Sequence, residues 1–361
     1  MKRLLILGAT GSIGSTAIRA IREKKLPIRV TGLVANKSAE KLSALSKEFG
    51  CPFFLTEGKS DEALFDFIKN TDSEIALNGI AGAYGLTATI KCLDACLDVA
   101  LANKESIVMG GDFLLSYSKE KGRRLIPVDS EHSAIYHLIG RNKRPRKLII
   151  TASGGPFFKR ENLENVTVEE AVNHPTWKMG KKISIDSATL LNKGLEVIEA
   201  GFLFGFESHS IQVTVHRQSI VHSMIQMTDG SIYAQMSPPD MTLPIISAII
   251  EENPGSDIVK PLDFNSSLTL TFEPWLSERF PLLAAAFTVL DKKRGYPIAY
   301  NAADEVAVDA FINGKIAFTD IAKVVLSVIA NDFDEEIDSF EAIMEADKKA
   351  RILAREAIDD L

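Results

Sequence analysis

LLILGATGSIG, residues 4–14, decides the fold. A short apolar run ends in Gly8, and Gly11 and Gly14 follow at intervals of three. Such a run reads as a buried strand, and Ile18 and Ile21 continue past the turn at helical spacing. Strand, glycine turn and helix in that order open a dinucleotide-binding βαβ unit. The glycines let backbone approach a pyrophosphate, and the helix start receives its charge. GxxGxxG alone is a weak signature. Its place between a strand and a helix lifts it above an ordinary glycine turn.

Outward from there the alternation continues. IRVTGLVA, residues 28–35, is the second strand. An NAD site usually ends this strand with an acid for the ribose 2′-hydroxyl. No Asp or Glu occurs from residue 28 to 38, and Asn36, Lys37 and Ser38 stand there instead. A cation among small polar groups suits a 2′-phosphate, which favours NADP over NAD. The competing reading of Lys37 is a solvent lysine opening the next helix. Residues 39–50 read as helix, CPFFLT as strand, residues 60–70 as helix and EIALNGI as strand. A helix through Ile90 and Cys96 leads to the strand VALAN. The loop Asn103, Lys104, Glu105, Ser106 then sets a lysine and a carboxylate beside the expected nicotinamide. Residues 1–128 are thus expected to be one doubly wound, Rossmann-type α/β domain.

With 361 residues the chain is too long for one ordinary core. A formal charge of −7 gives no basic footprint for nucleic acid. No apolar run approaches the roughly 18 residues of a membrane span. Cys51, Cys92 and Cys96 make no metal pattern, and Cys92 and Cys96 share a helical spacing that predicts burial. Free thiols and an opening without a signal or transit peptide suggest the cytoplasm.

The chemistry changes at PVDSEH, residues 127–132. If extended, this stretch points Asp129 and Glu131 the same way, a hard-cation site for Mg²⁺ or Mn²⁺. A helix cap at Asp129 or Ser130 is the other reading, and both can hold. KLIITASGGPF, residues 147–157, is a strand ending in a small-residue turn suited to phosphate or to a plain β-turn. NHPTWKMGKKIS, residues 173–184, has Pro175, Trp177, Met179 and Gly180 among lysines, which reads as a mobile lid over about 171–182.

DSATLLNKGLEVIE, residues 186–199, puts Ser187, Asn192, Lys193 and Glu196 within ten residues. We expect a helix from near Ser187, whose start suits a phosphate, with Glu196 one turn further on as a metal ligand. An N-capped helix with a surface Lys–Glu pair is the plainer reading. Alternating strands follow from Ile211, with His216 and His222 as interior or cleft histidines. Residues 251–277 read as a proline-punctuated connector. Four helical patterns over 278–361 suggest a helical bundle. The central domain is expected at 129–250.

GATGSIG, ANKES, PVDSEHSA, TASGGPF, HPTWKMGKKISIDSATLLNKGLEVIEA, HRQSIVHSM and NAADEVAV, in this order, resemble the 1-deoxy-D-xylulose 5-phosphate reductoisomerase family. The resemblance spans nearly the whole chain, and residues 174–200 are specific by themselves. It implies a homodimeric enzyme of the non-mevalonate isoprenoid pathway that uses NADPH and a divalent metal. It further implies Asp129, Glu131 and Glu196 as metal ligands. Ser153, Ser187, Asn192 and Lys193 would hold the phosphate, and Lys104, Ser130, Glu131 and His174 would contact the sugar. Thr10, Gly11, Ser12, Ile13, Asn36, Lys37, Ser38, Asn103, Glu105 and Gly180 would contact NADPH. Trp177 and Met179 would sit on the lid. ANKS at residues 35–38 departs from the family's frequent Gly-Lys-Asn.

The implied reaction breaks and remakes a carbon–carbon bond (retro-aldol, then aldol) and reduces the branched aldehyde. A metal on the ketone and its neighbouring hydroxyl acts as Lewis acid and template. Lys104, Glu131 and His222 are the candidates for proton transfer, and His174 joins them in the expected catalytic set. Two other functions fit parts of the sequence. One is a different NADP- and metal-dependent reductase of a phosphorylated carbonyl. The other is a dinucleotide sensor, which would have no use for three carboxylates beside a phosphate clamp.

Overall fold

The computed structural model describes residues 1–141, 144–177, 179–251 and 257–361. Residues 142 and 143 of the basic run, Lys178 of the lid and residues 252–256 of the expected connector lie outside it. The chain forms two compact units. The first comprises residues 1–106, 114–136 and 240–263; the second comprises 107–113, 137–239 and 264–361.

In the first unit the apolar runs become a parallel sheet: β1 (Lys2–Leu7), β2 (Ile28–Ala35), β3 (Phe53–Leu55), β4 (Ile75–Asn78), β5 (Asp98–Leu101) and β6 (Leu125–Pro127). Their order is β3-β2-β1-β4-β5-β6, that of a doubly wound dinucleotide fold, as expected. The order reverses between β1 and β4, and this is the crevice where such sheets bind ligands. Gly14, inside helix Ser12–Lys24, packs on the turn so closely that a Cβ there would lie 2.5 Å from the Gly8 carbonyl oxygen.

The linear partition expected at 128 and 250 does not follow the units. Helix Thr242–Ile249 returns to the first unit, because Ile245, Ile246, Ala248 and Ile249 are buried in one core with Leu4, Ile6, Ala17 and Ile18. Arg124 ties this return down by pairing with both Asp98 and Glu251, each at 2.6 Å. The expected connector also divides, its residues to 263 in the first unit and the rest in the second. Cys96 is exposed with a left-handed φ of 59°, past the end of helix Tyr84–Asp94, whereas Cys92 is buried inside it.

The second unit holds β7 (Lys147–Ala152), β8 (Ile211–Val215), β9 (Val221–Gln226) and β10 (Ile232–Met236), ordered β10-β9-β7-β8. Helices Lys181–Thr189 and Leu191–Phe204 belong to it, as do Pro281–Lys292, Tyr296–Ile312, Asp320–Ile329 and Phe340–Asp359, the four expected C-terminal helices. After β7 the turn has left-handed Gly154 (φ 82°) and Gly155 (φ 64°). A Cβ on Gly155 would overlap the Ser187 carbonyl oxygen. Gly155→Ala is therefore expected to cost more than the ~1–2 kcal/mol of a left-handed alanine. A thermal melt checks this, and an unchanged melting temperature would show the turn standing off the helix.

Candidate functional site

In the first unit, functional side chains lie where strands end. Gly11 caps helix Ser12–Lys24 with no side-chain hydrogen bond of its own. The first-turn N–H groups of Ser12 and Ile13 thus point at the crevice beside Thr10, as an anion site needs. Asn36 and Lys37 follow β2 directly. Asn36 accepts a hydrogen bond from Thr56 at 3.3 Å, and exposed Lys37 lies 3.4 Å from Glu57. Ser38 occupies the cap position of helix Ala39–Phe49 without bonding it.

Asn103 caps helix Lys104–Glu120, its Oδ1 accepting from the Ser106 N–H at 3.0 Å. Its Nδ2 donates to the Gly82 carbonyl and, at 2.7 Å, to Glu105. The glycine loop after β4 is thereby tied to the loop after β5. Parallel pairing of β5 with β6 sets their exits side by side. Buried Lys104 consequently meets Asp129 at 2.5 Å.

The cap reading of residues 127–132 holds and the extended one does not. Helix Ser130–Arg141 starts at once, and the Asp129 carbonyl accepts from the Ser133 N–H. Glu131 stands in its first turn, where a carboxylate is favoured by the helix dipole. Ser130 donates to Glu131 at 2.5 Å. A metal ligand set of Asp129 and Glu131 offers hard oxygen donors of the type Mg²⁺ and Mn²⁺ take.

In the second unit the expected single helix from Ser187 is two. Leu190 is left-handed at φ 58° and separates Lys181–Thr189 from Leu191–Phe204. Ser187 ends the first helix, while Asn192 and Lys193 lie in the first turn of the second. Thr189 stitches the break: its hydroxyl donates to the Asp186 carbonyl at 3.1 Å and accepts from the Leu191 N–H at 3.2 Å. The helix start expected at Ser187 is thus at Leu191. Lys193, 4% exposed, bonds Glu196, 1% exposed, and Asn192 donates to the same carboxylate at 2.6 Å.

Lid bounds of 171–182 are too wide, because Ala171 and Val172 end helix Val168–Val172 while Lys181 and Lys182 open the next. Between them His174 is a fixed point. Its Nδ1 accepts the N–H groups of Thr176 (3.1 Å) and Trp177 (2.9 Å), so the neutral ring carries its proton on Nε2 and donates to Ser153 at 2.9 Å. Burial, reinforced by the charge of Arg217, pushes His174 down to about 4. Trp177 and Met179 are half-buried, and exposed Gly180 caps the next helix.

His222 is also lowered to about 4, chiefly by burial, and shares a 2.8 Å hydrogen bond with Ser237. His216 is interior. Its Nδ1 donates to the Thr271 carbonyl, its Nε2 accepts from the Ile220 N–H, and its ring stacks on Phe272. Arg217 and Ser237 were missed in the sequence. Each affects the site only through a histidine remote in sequence, so no local pattern marks it.

Family models match this architecture in pieces: 1-deoxy-D-xylulose 5-phosphate reductoisomerase over residues 4–61 and 55–111, its C-terminal domain over 125–204, and the DXP reductoisomerase C-terminal domain over 236–353. The reductoisomerase of Treponema denticola is 43% identical, covering 99% of this chain and 98% of its own. That of Thermodesulfovibrio yellowstonii is 40% identical with both chains covered in full. Among solved structures, the Zymomonas mobilis enzyme in complex with NADPH superimposes with a TM-score of 0.90 at 35% identity over 100% of both chains. A DOX-P reductoisomerase in complex with NADPH, fosmidomycin and magnesium gives 0.88 at 36%, covering 99% of this chain and 98% of that one. Full-length identity at this level, on the same fold, places the chain in the 1-deoxy-D-xylulose 5-phosphate reductoisomerase family.

Proposed function

We propose that the residues described above carry the family's reaction, the NADPH- and divalent-metal-dependent conversion of 1-deoxy-D-xylulose 5-phosphate to 2-C-methyl-D-erythritol 4-phosphate. Relatives of near-identical length catalyse it, and solved relatives hold NADPH and magnesium. The observation that carries the residue assignment is the clamp in the second unit. A serine turn, Ser187, and a helix start bearing Asn192 and Lys193 are built into one body.

Ser153, Ser187, Asn192 and Lys193 hold the phosphate. Because Ser153 accepts from His174, its own hydroxyl hydrogen is left to donate to a phosphate oxygen. Fixing that end makes binding energy serve orientation of the reacting carbons. Asp129, Glu131 and Glu196 are the metal ligands. The ion supplies Lewis acidity for the two sugar oxygens, as NADPH supplies hydride. Lys104 stands beside Asp129 as a donor to a sugar oxygen, with Ser130 next to it. His174 and His222 are neutral at ordinary pH, so they position rather than protonate. Glu131 and Lys104 remain as proton carriers. Trp177 and Met179, between His174 and Gly180, cover the sugar and exclude water.

NADPH occupies the crevice of the first unit, its pyrophosphate at Thr10, Gly11, Ser12 and Ile13 and its 2′-phosphate at Asn36, Lys37 and Ser38. Asn103, Glu105 and Gly180 border the nicotinamide. No helix among the described residues is long and apolar enough to cross a membrane. The exposed free thiol Cys96 suits the reducing cytoplasm.

A second copy of the chain is the partner. β10 is an edge strand paired, among the described residues, with β9 alone. It exposes Ile232 (53%) and Tyr233 (47%), large apolar groups on an open edge that a two-fold mate would cover.

Three outcomes test this reading. Glu196→Gln is expected to keep NADPH binding while losing most turnover in saturating Mg²⁺ or Mn²⁺; undiminished activity with the same metal dependence would falsify the ligand assignment. Lys37→Ala should weaken NADPH by about 1.5–3 kcal/mol, the range for a charged hydrogen bond, and NADH far less. An equal loss for both cofactors would remove Lys37 from the 2′-phosphate. Light scattering should give a dimer mass for the wild type and a monomer for Ile232→Asp/Tyr233→Asp. A monomeric wild type at micromolar concentration sinks the pairing.

A further inference from the structure

Helix Tyr296–Ile312 carries none of the residues assigned above, yet one of its faces bears on both helices of the phosphate clamp. Tyr300 and Asp304 lie one turn apart on it, both fully buried. The Tyr300 hydroxyl donates to the Leu282 carbonyl at 3.0 Å. It abuts Gly194 so tightly that a Cβ there would collide with it. Gly194 directly follows Lys193. Asp304 meets the Lys182 ammonium at 2.6 Å, and Lys182 also pairs with Asp186 at 2.7 Å. Asp186, 2% exposed, directly precedes Ser187.

We infer that Asp304 is a positioning residue of the reaction. Through Lys182 and Asp186 it sets the angle of helix Lys181–Thr189, and so the place of Ser187 in the clamp. This rests on the reading that Ser187, Asn192 and Lys193 hold the substrate phosphate. A surface ion pair would add little, but this one is enclosed, and a buried charge enforces the geometry of its partner. Burial drives the Asp304 carboxyl upward against the opposing pull of Lys182. An asparagine at 304 keeps the shape and an oxygen that accepts from the Lys182 ammonium. The two obvious substitutions therefore separate position from bulk. Asp304→Asn keeps the hydrogen bonding, whereas Asp304→Leu keeps the volume and removes it.

The test uses the full-length enzyme and two readouts. One is the KM for 1-deoxy-D-xylulose 5-phosphate beside that for NADPH. The other, independent of turnover, is the rise in melting temperature caused by inorganic phosphate over chloride at matched ionic strength. Asp304→Leu is expected to raise the sugar-phosphate KM about tenfold or more, the scale of a small misplacement of binding groups, with the NADPH KM unchanged. It should also lose the phosphate-dependent stabilisation, and Asp304→Asn should retain both. If Asp304→Leu does not fold, Lys182→Met, at a partly exposed position, is expected to raise the same KM. An Asp304→Leu or Lys182→Met enzyme with unchanged sugar-phosphate KM overturns the inference. Equal impairment of Asp304→Asn and Asp304→Leu, with NADPH affected alike, overturns it too, since that is the mark of bulk support. A wild type that neither turns over the sugar phosphate nor responds to phosphate overturns the clamp reading, and this inference with it.

Discussion

A carboxylate left buried without a cation, a proton or hydrogen bonds is costly, and this constraint shapes the surroundings of the candidate site residues. Asp129, Glu196 and Asp186 are each largely or fully buried, and each meets a lysine: Lys104, Lys193 and Lys182. Removing one member of such a pair typically costs ~3–5 kcal/mol, because the other is left charged and unsolvated. Lysine supplies the match for a reason beyond charge. Its ammonium is a point charge with three donors on a flexible stem, so it can turn from a carboxylate to an oxygen of a ligand. Each pair fixes a carboxylate and an ammonium against one another inside its own unit.

Local patterns mark elements but not which body an element joins. The parallel strands, the glycine turn and the four C-terminal helices were legible because apolar spacing dictates them one at a time. The return of helix Thr242–Ile249 to the first unit was not. Its apolar face fits any core, and which core it serves shows only in the folded chain, where Ile245, Ile246, Ala248 and Ile249 pack with Leu4 and Ile6 and Arg124 joins Asp98 to Glu251.

At the site the same limit appears on a smaller scale. The residue types were legible in full, since serines, an amide, a lysine and carboxylates in one stretch have few uses. Their placement was not. Leu190 breaks the helix in a left-handed conformation that leucine rarely takes, and nothing in TLLN announces it. The break holds because Thr189 closes its hydrogen bonds and apolar Leu190 and Leu191 are buried on either side of it. Similarly, VDSEH alternates like a strand, but Pro127 ends β6 and the Asp129 carbonyl begins a helix, which outweighs the alternation. In both places a local preference yields to tertiary contacts, and both carry residues of the proposed site.

The histidines show what that aiming does. A histidine left in water would be partly charged near neutrality and could donate from either nitrogen. His174 has neither freedom. Two backbone N–H groups occupy Nδ1, and burial with the charge of Arg217 keeps the ring neutral down to about 4. Only Nε2–H remains, and it faces Ser153. The serine oxygen, already accepting one hydrogen, keeps its own hydrogen to donate elsewhere. A segment that looks in sequence like a loose lid is thus tied to the turn after β7, and the ring that ties the segment down is the same ring that sets Ser153.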